Sequence, residues 1–290
     1  MAAEIPSPEK YLLSEYENRR IFETYIIPRH FGELSPATNP SVHFFGAQPG
    51  AGKSAIQTSI KQALIEKGGV SSVASIIGDE FRSYHPNYFS IMKESDDLAA
   101  FFTDRDSGRW VERSIAYTIQ IRPHVILEGT LRNPQITLDT AILYQAAGFK
   151  QELHVVAVHG FISRLRIFQR YLDQIERTGY GRYTVPEAHD RAYYTLLQSL
   201  ITLAESGLFS RITLYNATGN VLSCAAGTIE NAPTLEAVLM AERSGDNLDF
   251  NSLIDTAEQL SARAKHAARL SALDDLVKLT EEIYQAGRRK

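Results

Sequence analysis

A short apolar run, Ser41-Val42-His43-Phe44-Phe45, leads directly into Gly46-Ala47-Gln48-Pro49-Gly50-Ala51-Gly52-Lys53-Ser54, and a helical stretch from Lys53 to about Lys67 follows. This succession of strand, Gly-rich turn and helix restricts the chain more than any other segment. It ends in the G-K-S of the pattern G-x-x-x-x-G-K-S/T, where backbone amides and a helix N-terminus cradle phosphate. Ala47 stands at the first glycine position of that pattern, which works only if residue 47 avoids positive φ, because alanine carries a Cβ. Pro49 removes one amide from the cradle. Gln48, Pro49, Gly50, Ala51, Gly52, Lys53 and Ser54 form the candidate nucleoside-triphosphate site, with Lys53 reaching the β- and γ-phosphates and the Ser54 hydroxyl ligating Mg²⁺.

Further short apolar runs at Val73–Ile77, Val125–Leu127, Leu153–Val158 and Ile212–Tyr215 alternate with helical stretches. Those stretches are 110–121, 134–147, 161–177 and 186–205. Such alternation implies an α/β fold, a P-loop kinase-like, mainly parallel sheet with helices on both faces. A first helix is expected over residues 8–33, starting at Ser7-Pro8-Glu9 and ended or bent by Pro28. Beyond about residue 230 only helical patterns remain, at 232–243, 250–265 and 268–287. The expected division is a kinase domain over 1–230 and a helical C-terminal extension over 231–290.

Two carboxylates follow strands, where parallel-sheet sites lie. Asp79, in Gly78-Asp79-Glu80-Phe81-Arg82, suits proton acceptance from a substrate hydroxyl; the alternative is a helix cap, and Glu80 is its nearest rival. Glu128 opens Glu128-Gly129-Thr130-Leu131-Arg132 and suits Mg²⁺ through water, with Thr130 and Arg132 placed to hold a polar substrate. Residues 161–191 hold Arg164, Arg166, Arg170, Arg177, Arg182 and Arg191, candidates for stabilising a transferring phosphoryl group. Tyr180 and Tyr183 flank Gly181-Arg182 and suit either base stacking or core filling. His85, His159 and His189 lack metal-ligand spacing.

Composition narrows the partners. Lys plus Arg number 30 against 34 Asp plus Glu, a net charge of −4, with a pI near 6.1. No general basic field exists for nucleic acid, which is not expected as a partner. The lone Cys224 excludes an intrachain disulfide and a Cys-rich zinc site. Glu4, Glu9 and Lys10 interrupt any signal-peptide core, and no run approaches the ~20 apolar residues of a membrane helix. The expectation is a cytoplasmic protein with no membrane partner.

Together these motifs resemble the zeta toxin family, the P-loop kinases of epsilon/zeta toxin–antitoxin systems. The resemblance rests on Gln48–Lys53, Asp79-Glu80-Phe81, His85-Pro86-Asn87, Glu128–Arg132, Arg170-Tyr171, Arg182, Thr184-Val185-Pro186, His189-Asp190, Gly207–Ser210 and Leu214–Asn216, over residues 14 to 225. It implies ATP- and Mg²⁺-dependent phosphorylation of a sugar hydroxyl on UDP-N-acetylglucosamine, poisoning peptidoglycan precursor synthesis, and a small helical antitoxin as partner. It further implies Asp79 as general base, with Lys53, Arg170 and Arg182 as the other catalytic residues. His85, Glu112, Glu128, Thr130 and Arg132 would line the substrate pocket. Alternatives on the residues alone are a kinase of another small molecule or polynucleotide end, and an inactive nucleotide-binding module.

Overall fold

The computed structural model describes residue 7, residues 9–94 and residues 98–289. Pro8, in the expected first-helix start, lies outside the described residues. The first helix, α1 (Glu15–Ile21), begins later than expected because Ser14 and Glu17 form a reciprocal capping box. It continues as a wider π-helical stretch over Phe22–Phe31. Pro28 sits inside that stretch instead of ending it. In the wider turn the backbone does not follow the i→i−4 ladder that proline breaks.

Six strands follow in the order β2-β3-β1-β4-β5-β6 across one sheet. They are β1 (Ser41–Gly46), β2 (Val73–Ile76), β3 (His124–Gly129), β4 (Lys150–Val156), β5 (Arg211–Tyr215) and β6 (Val221–Ala225). The first five run parallel, and β6 pairs antiparallel with β5. Helices fill the crossovers: α2 (Lys53–Gly68), α3 (Gly78–Phe81), α4 (Tyr88–Glu94), α5 (Leu98–Ile121), α6 (Pro134–Ala146), α7 (Gly160–Thr178) and α8 (Pro186–Glu205). Then come α9 (Ala232–Arg243), α10 (Phe250–His266) and α11 (Leu270–Gly287). The mainly parallel sheet with helices on both faces is the fold that the alternating pattern implies.

Strand alternation assigns residues to two cores. Val42, Phe44, Val125, Leu127, Leu153, Val155, Ile212 and Leu214 face the larger one, with Trp110, Leu196 and Leu235. Phe45, Ile126 and Val156 face the other side, against Ile56 and Leu64 of α2. Under the larger core lies a buried polar knot. The Trp110 indole donates to the Asn18 carbonyl at 2.9 Å, and the Asn18 amide donates to Asp106 at 2.9 Å. Satisfying these groups ties α1 to α5.

The three last helices do not pack alike. Helix α9 joins the larger core through Ala232, Leu235 and Leu239. The α10–α11 hairpin instead buries Leu260, Leu276, Leu279 and Ile283 against Leu165, Phe168 and Leu172 of α7.

Candidate active site

Strand β1 lies centrally, with β3 on one side and β4 on the other. The chain leaves β1 toward β2, then crosses from β3 to β4, so the cleft opens above the carboxyl end of β1. The Gly-rich turn sits there. Gly50 and Gly52 take φ of 78° and 96°. A Cβ on Gly50 would lie 2.0 Å from the Ser163 carbonyl of α7, so that position admits only glycine. Ala47 is fully buried and is not among the positive-φ residues, which is the condition its side chain requires. Gly52 is the N-cap of α2 and supplies no side-chain cap. The first amides of α2 therefore face an anion position.

Lys53 is buried beside this cradle. Its ammonium donates to the Ala47 carbonyl at 3.1 Å and lies 3.8 Å from Glu128. Burial pushes its pKa down, opposed chiefly by Glu128 and Asp79. Gln57, one turn further along α2, donates to the other Glu128 oxygen at 2.8 Å. The exposed Ser54 hydroxyl and the Glu128 carboxylate are hard oxygen donors beside the cradle, a donor set that fits Mg²⁺.

Asp79 comes from α3, immediately after β2. Arg182 meets one of its oxygens at 2.5 Å and Arg82 the other at 3.0 Å. Desolvation in the cleft pushes the Asp79 pKa up, but the Arg182 and Arg82 charges outweigh it and hold the carboxyl well below the usual carboxylate range. Arg82 is itself fixed by Asp104 at 2.7 Å and the Ala100 carbonyl at 2.9 Å.

Arg170 and Arg182 come within electrostatic range of each other because the chain doubles back. Gly179 ends α7 in the left-handed region, at φ 80°. Gly181 then approaches the Tyr171 carbonyl so closely that a Cβ would come within 2.9 Å of it. Burial and the Arg182 charge lower the Arg170 pKa, while Asp79 and Glu128 act in the opposite sense. Lys53, Asp79, Glu128, Arg170 and Arg182 thus share one electrostatic neighbourhood.

Beside it lies a cavity of about 410 Å³ lined by Asp79, Arg82, Glu112, Glu128, Thr130 and Arg132 among others. Leu131 shapes its mouth. It takes φ 54° and packs on β1 where Gly46 has no Cβ to obstruct it. A side chain in the left-handed region is a local strain of the kind found at functional sites. It leaves Thr130 and Arg132 at the cavity wall.

The structure does not bring every sequence candidate here. His85 is buried away from the cleft, contacting the Tyr11 carbonyl at 3.0 Å and Asp106 at 3.4 Å. The Gln48 side chain is also turned inward. It donates to the Val158 carbonyl at 3.0 Å and accepts from Arg243 of α9 at 2.9 Å. Tyr183 fills the α7–hairpin core and donates its hydroxyl to Asp275 at 2.5 Å. Tyr180 packs against Phe89. Arg164 is engaged by Asp190 and Glu282, and Arg166 donates to the Ala51 and Ala217 carbonyls.

Three partners stand outside the sequence motifs. Arg82 and Gln57 were detectable in principle, at i+3 from Asp79 and i+4 from Lys53, spacings that share a helix face. Arg243 carried no local signal, because it meets Gln48 across 195 positions.

Comparison with known proteins identifies the family. The zeta toxin family model matches residues 30–228. The toxin zeta of Enterococcus hirae is 30% identical over 231 residues, covering 79% of this chain and 78% of that protein. The toxin PezT of Streptococcus pneumoniae is 30% identical over 207 residues, covering 71% and 80% respectively. A structure from the chromosomal PezAT toxin–antitoxin system of S. pneumoniae superposes with a TM-score of 0.70 at 22% identity, over 89% of this chain and 99% of that one. The AvrRxo1-ORF1:-ORF2 complex with ATP gives a TM-score of 0.54 at 15% identity, over 91% and 90%. From its phosphate cradle through β5, this chain belongs to the zeta toxin family.

Proposed function

We propose that the protein is an ATP-dependent kinase that phosphorylates a sugar hydroxyl of UDP-N-acetylglucosamine, and that it acts as the toxin of a toxin–antitoxin pair. The observation that carries this reading is the convergence of Lys53, Asp79, Glu128, Arg170 and Arg182 where the phosphate cradle meets the 410 Å³ cavity. A neutral acceptor needs a base, and a transferring phosphoryl group needs cations; both are present. The sugar oxygen attacks the γ-phosphorus, its proton passes to Asp79, and the bond to the β-phosphate oxygen breaks to release ADP. Mg²⁺, held through Ser54 and Glu128, would offset phosphate charge. Arg182, which covers Asp79 in the free protein, moves to the γ-phosphate and leaves the base open. The PezAT toxin–antitoxin system of a structural neighbour supports a small antitoxin as partner.

The test is turnover of ATP with UDP-N-acetylglucosamine, with the product mass and phosphorylation position determined. A singly phosphorylated UDP-sugar is expected. ATP turnover only with a different acceptor, such as a polynucleotide end, overturns the substrate assignment.

Two substitutions separate the ligands. Arg132 is 52% exposed at the cavity, with Asp104 at 3.8 Å. Arg132→Ala is expected to raise KM for UDP-N-acetylglucosamine roughly tenfold, the worth of one charge-assisted hydrogen bond, and KM for ATP by less. Equal increases would instead place Arg132 in the scaffold. Arg243→Ala has the opposite signature. It removes the donor that fixes Gln48 and leaves that buried oxygen unpaired. KM for ATP should rise roughly tenfold with the sugar KM little changed. Unchanged ATP binding by a folded Arg243→Ala protein would show that the loop holds its shape without it.

A further inference from the structure

The sheet face under α2 carries a cluster that the kinase reading does not use. His43 faces it from β1, and Glu152 and His154 from β4, because residues of this parity turn away from the larger core. Parallel pairing sets His43 opposite Glu152 and Phe45 opposite His154. The three side chains are 7%, 4% and 3% exposed.

Their ligand atoms converge. His43 Nδ1 lies 3.0 Å from His154 Nε2. Glu152 Oε2 lies 3.7 Å from the first and 4.0 Å from the second. The point equidistant from three atoms so spaced is ~2.1 Å from each, the length of a zinc–imidazole bond. The outward nitrogens are anchored: His43 Nε2 to the Ser41 hydroxyl at 3.0 Å, and His154 Nδ1 to the Tyr215 hydroxyl at 3.0 Å. Such outer contacts fix ring orientation in metal sites. In the ion-free pair the 3.0 Å contact is a hydrogen bond, so one facing nitrogen carries a proton; the ion takes both lone pairs once that proton sits on the ring's outward nitrogen, toward the Ser41 or Tyr215 hydroxyl. The cluster also borders a cavity of about 320 Å³ roofed by Ile60, Ala63, Leu64 and Lys67 of α2, with room for a further ligand.

We propose that His43, Glu152 and His154 bind a divalent transition ion of the zinc type, separate from the Mg²⁺ of the nucleotide cleft. Two imidazoles and one carboxylate favour such an ion over Mg²⁺ or Ca²⁺. One group opposes it. Arg211 donates to the same Glu152 oxygen, at 3.0 Å from Nε, while Lys150 holds the other oxygen at 3.0 Å. Arg211 and Lys150 are 50% and 60% exposed, so both have room to swing outward when the ion enters. Ion and guanidinium therefore compete for one oxygen.

That competition supplies the test. Chelator-treated protein is titrated with Zn²⁺ in excess Mg²⁺, which occupies the oxygen-donor site in the cleft. One Zn²⁺ per chain is expected, and the zinc X-ray absorption spectrum should show two imidazoles. The double variant His43→Gln/His154→Gln should bind about 100-fold more weakly or worse. Arg211→Gln, which leaves all three ligands in place, should bind more tightly than the parent. Absence of stoichiometric zinc, a spectrum without imidazole, or undiminished binding by the double variant overturns the site. If the double variant does not fold, the parent spectrum and Arg211→Gln decide: an affinity unchanged in Arg211→Gln counts against the site.

Discussion

Asp79→Asn is expected to lower kcat by ~10²–10⁴ while ATP binding stays within about twofold. The amide keeps the shape of the carboxyl but accepts no proton from the sugar hydroxyl. Its neighbours remain fixed, since Arg82 is still held by Asp104 and the Ala100 carbonyl. Steady-state kinetics together with ATP titration check the split. If Glu80→Gln shows the loss and Asp79→Asn does not, the base is the adjacent carboxylate. Acid stability offers a second readout. The folded-state pKa of Asp79 is depressed, so its pairing stabilises the protein above the unfolded carboxyl pKa. That contribution is lost as pH falls through the folded value. Asp79→Asn removes this portion of the acid loss, and its stability should fall less steeply than the parent's below pH ~4.

Arg182→Ala is expected to cost kcat on the order of 10³, the lower range for an arginine acting on a transferring phosphoryl group. It also removes the cation nearest Asp79, and the desolvation that remains pushes that carboxyl pKa upward. The acid limb of the kcat/KM profile should therefore move to higher pH. The two effects are separable. A shifted limb with nearly normal kcat would make Arg182 a clamp on the resting base and no more. A large loss of kcat with an unmoved limb would mean that Arg182 does not govern the Asp79 carboxyl in the free enzyme.

The cleft was legible where its chemistry is local. The Gly-rich run after an apolar strand marks the phosphate cradle, and carboxylates after strands mark Asp79 and Glu128, because parallel sheets place such positions at one edge. Gly179 and Gly181 announced the turn that brings Arg182 toward Arg170. Groups joined only by tertiary packing gave no such signal. Arg243 reads as the end of a surface helix until Gln48 is seen to need an acceptor's partner. His43 and His154 read as polar interruptions in two strands until register sets them side by side. Strand β6 went unread because Val221–Ala225 is short and half exposed at the sheet edge. His85 misled because a motif position does not say which way a ring points. Here the Tyr11 carbonyl and Asp106 both meet Nε2, and Nδ1 accepts from the Asn87 amide, so the ring is held in the buried polar knot.

Helix α7 is held at both ends of its working face. Gly50 presses on Ser163, the α10–α11 hairpin covers Leu165, Phe168 and Leu172, and Arg263 grips Asp173 and Glu176 at 2.7 and 2.8 Å. A helix so anchored has little freedom to swing as a body. Arg182 can then leave Asp79 by side-chain rotation, without the microsecond-to-millisecond swing of a hinged lid. Turnover by this protein would then be insensitive to solvent viscosity in its closing step, and the amides of α7 would exchange with solvent among the slowest in the chain.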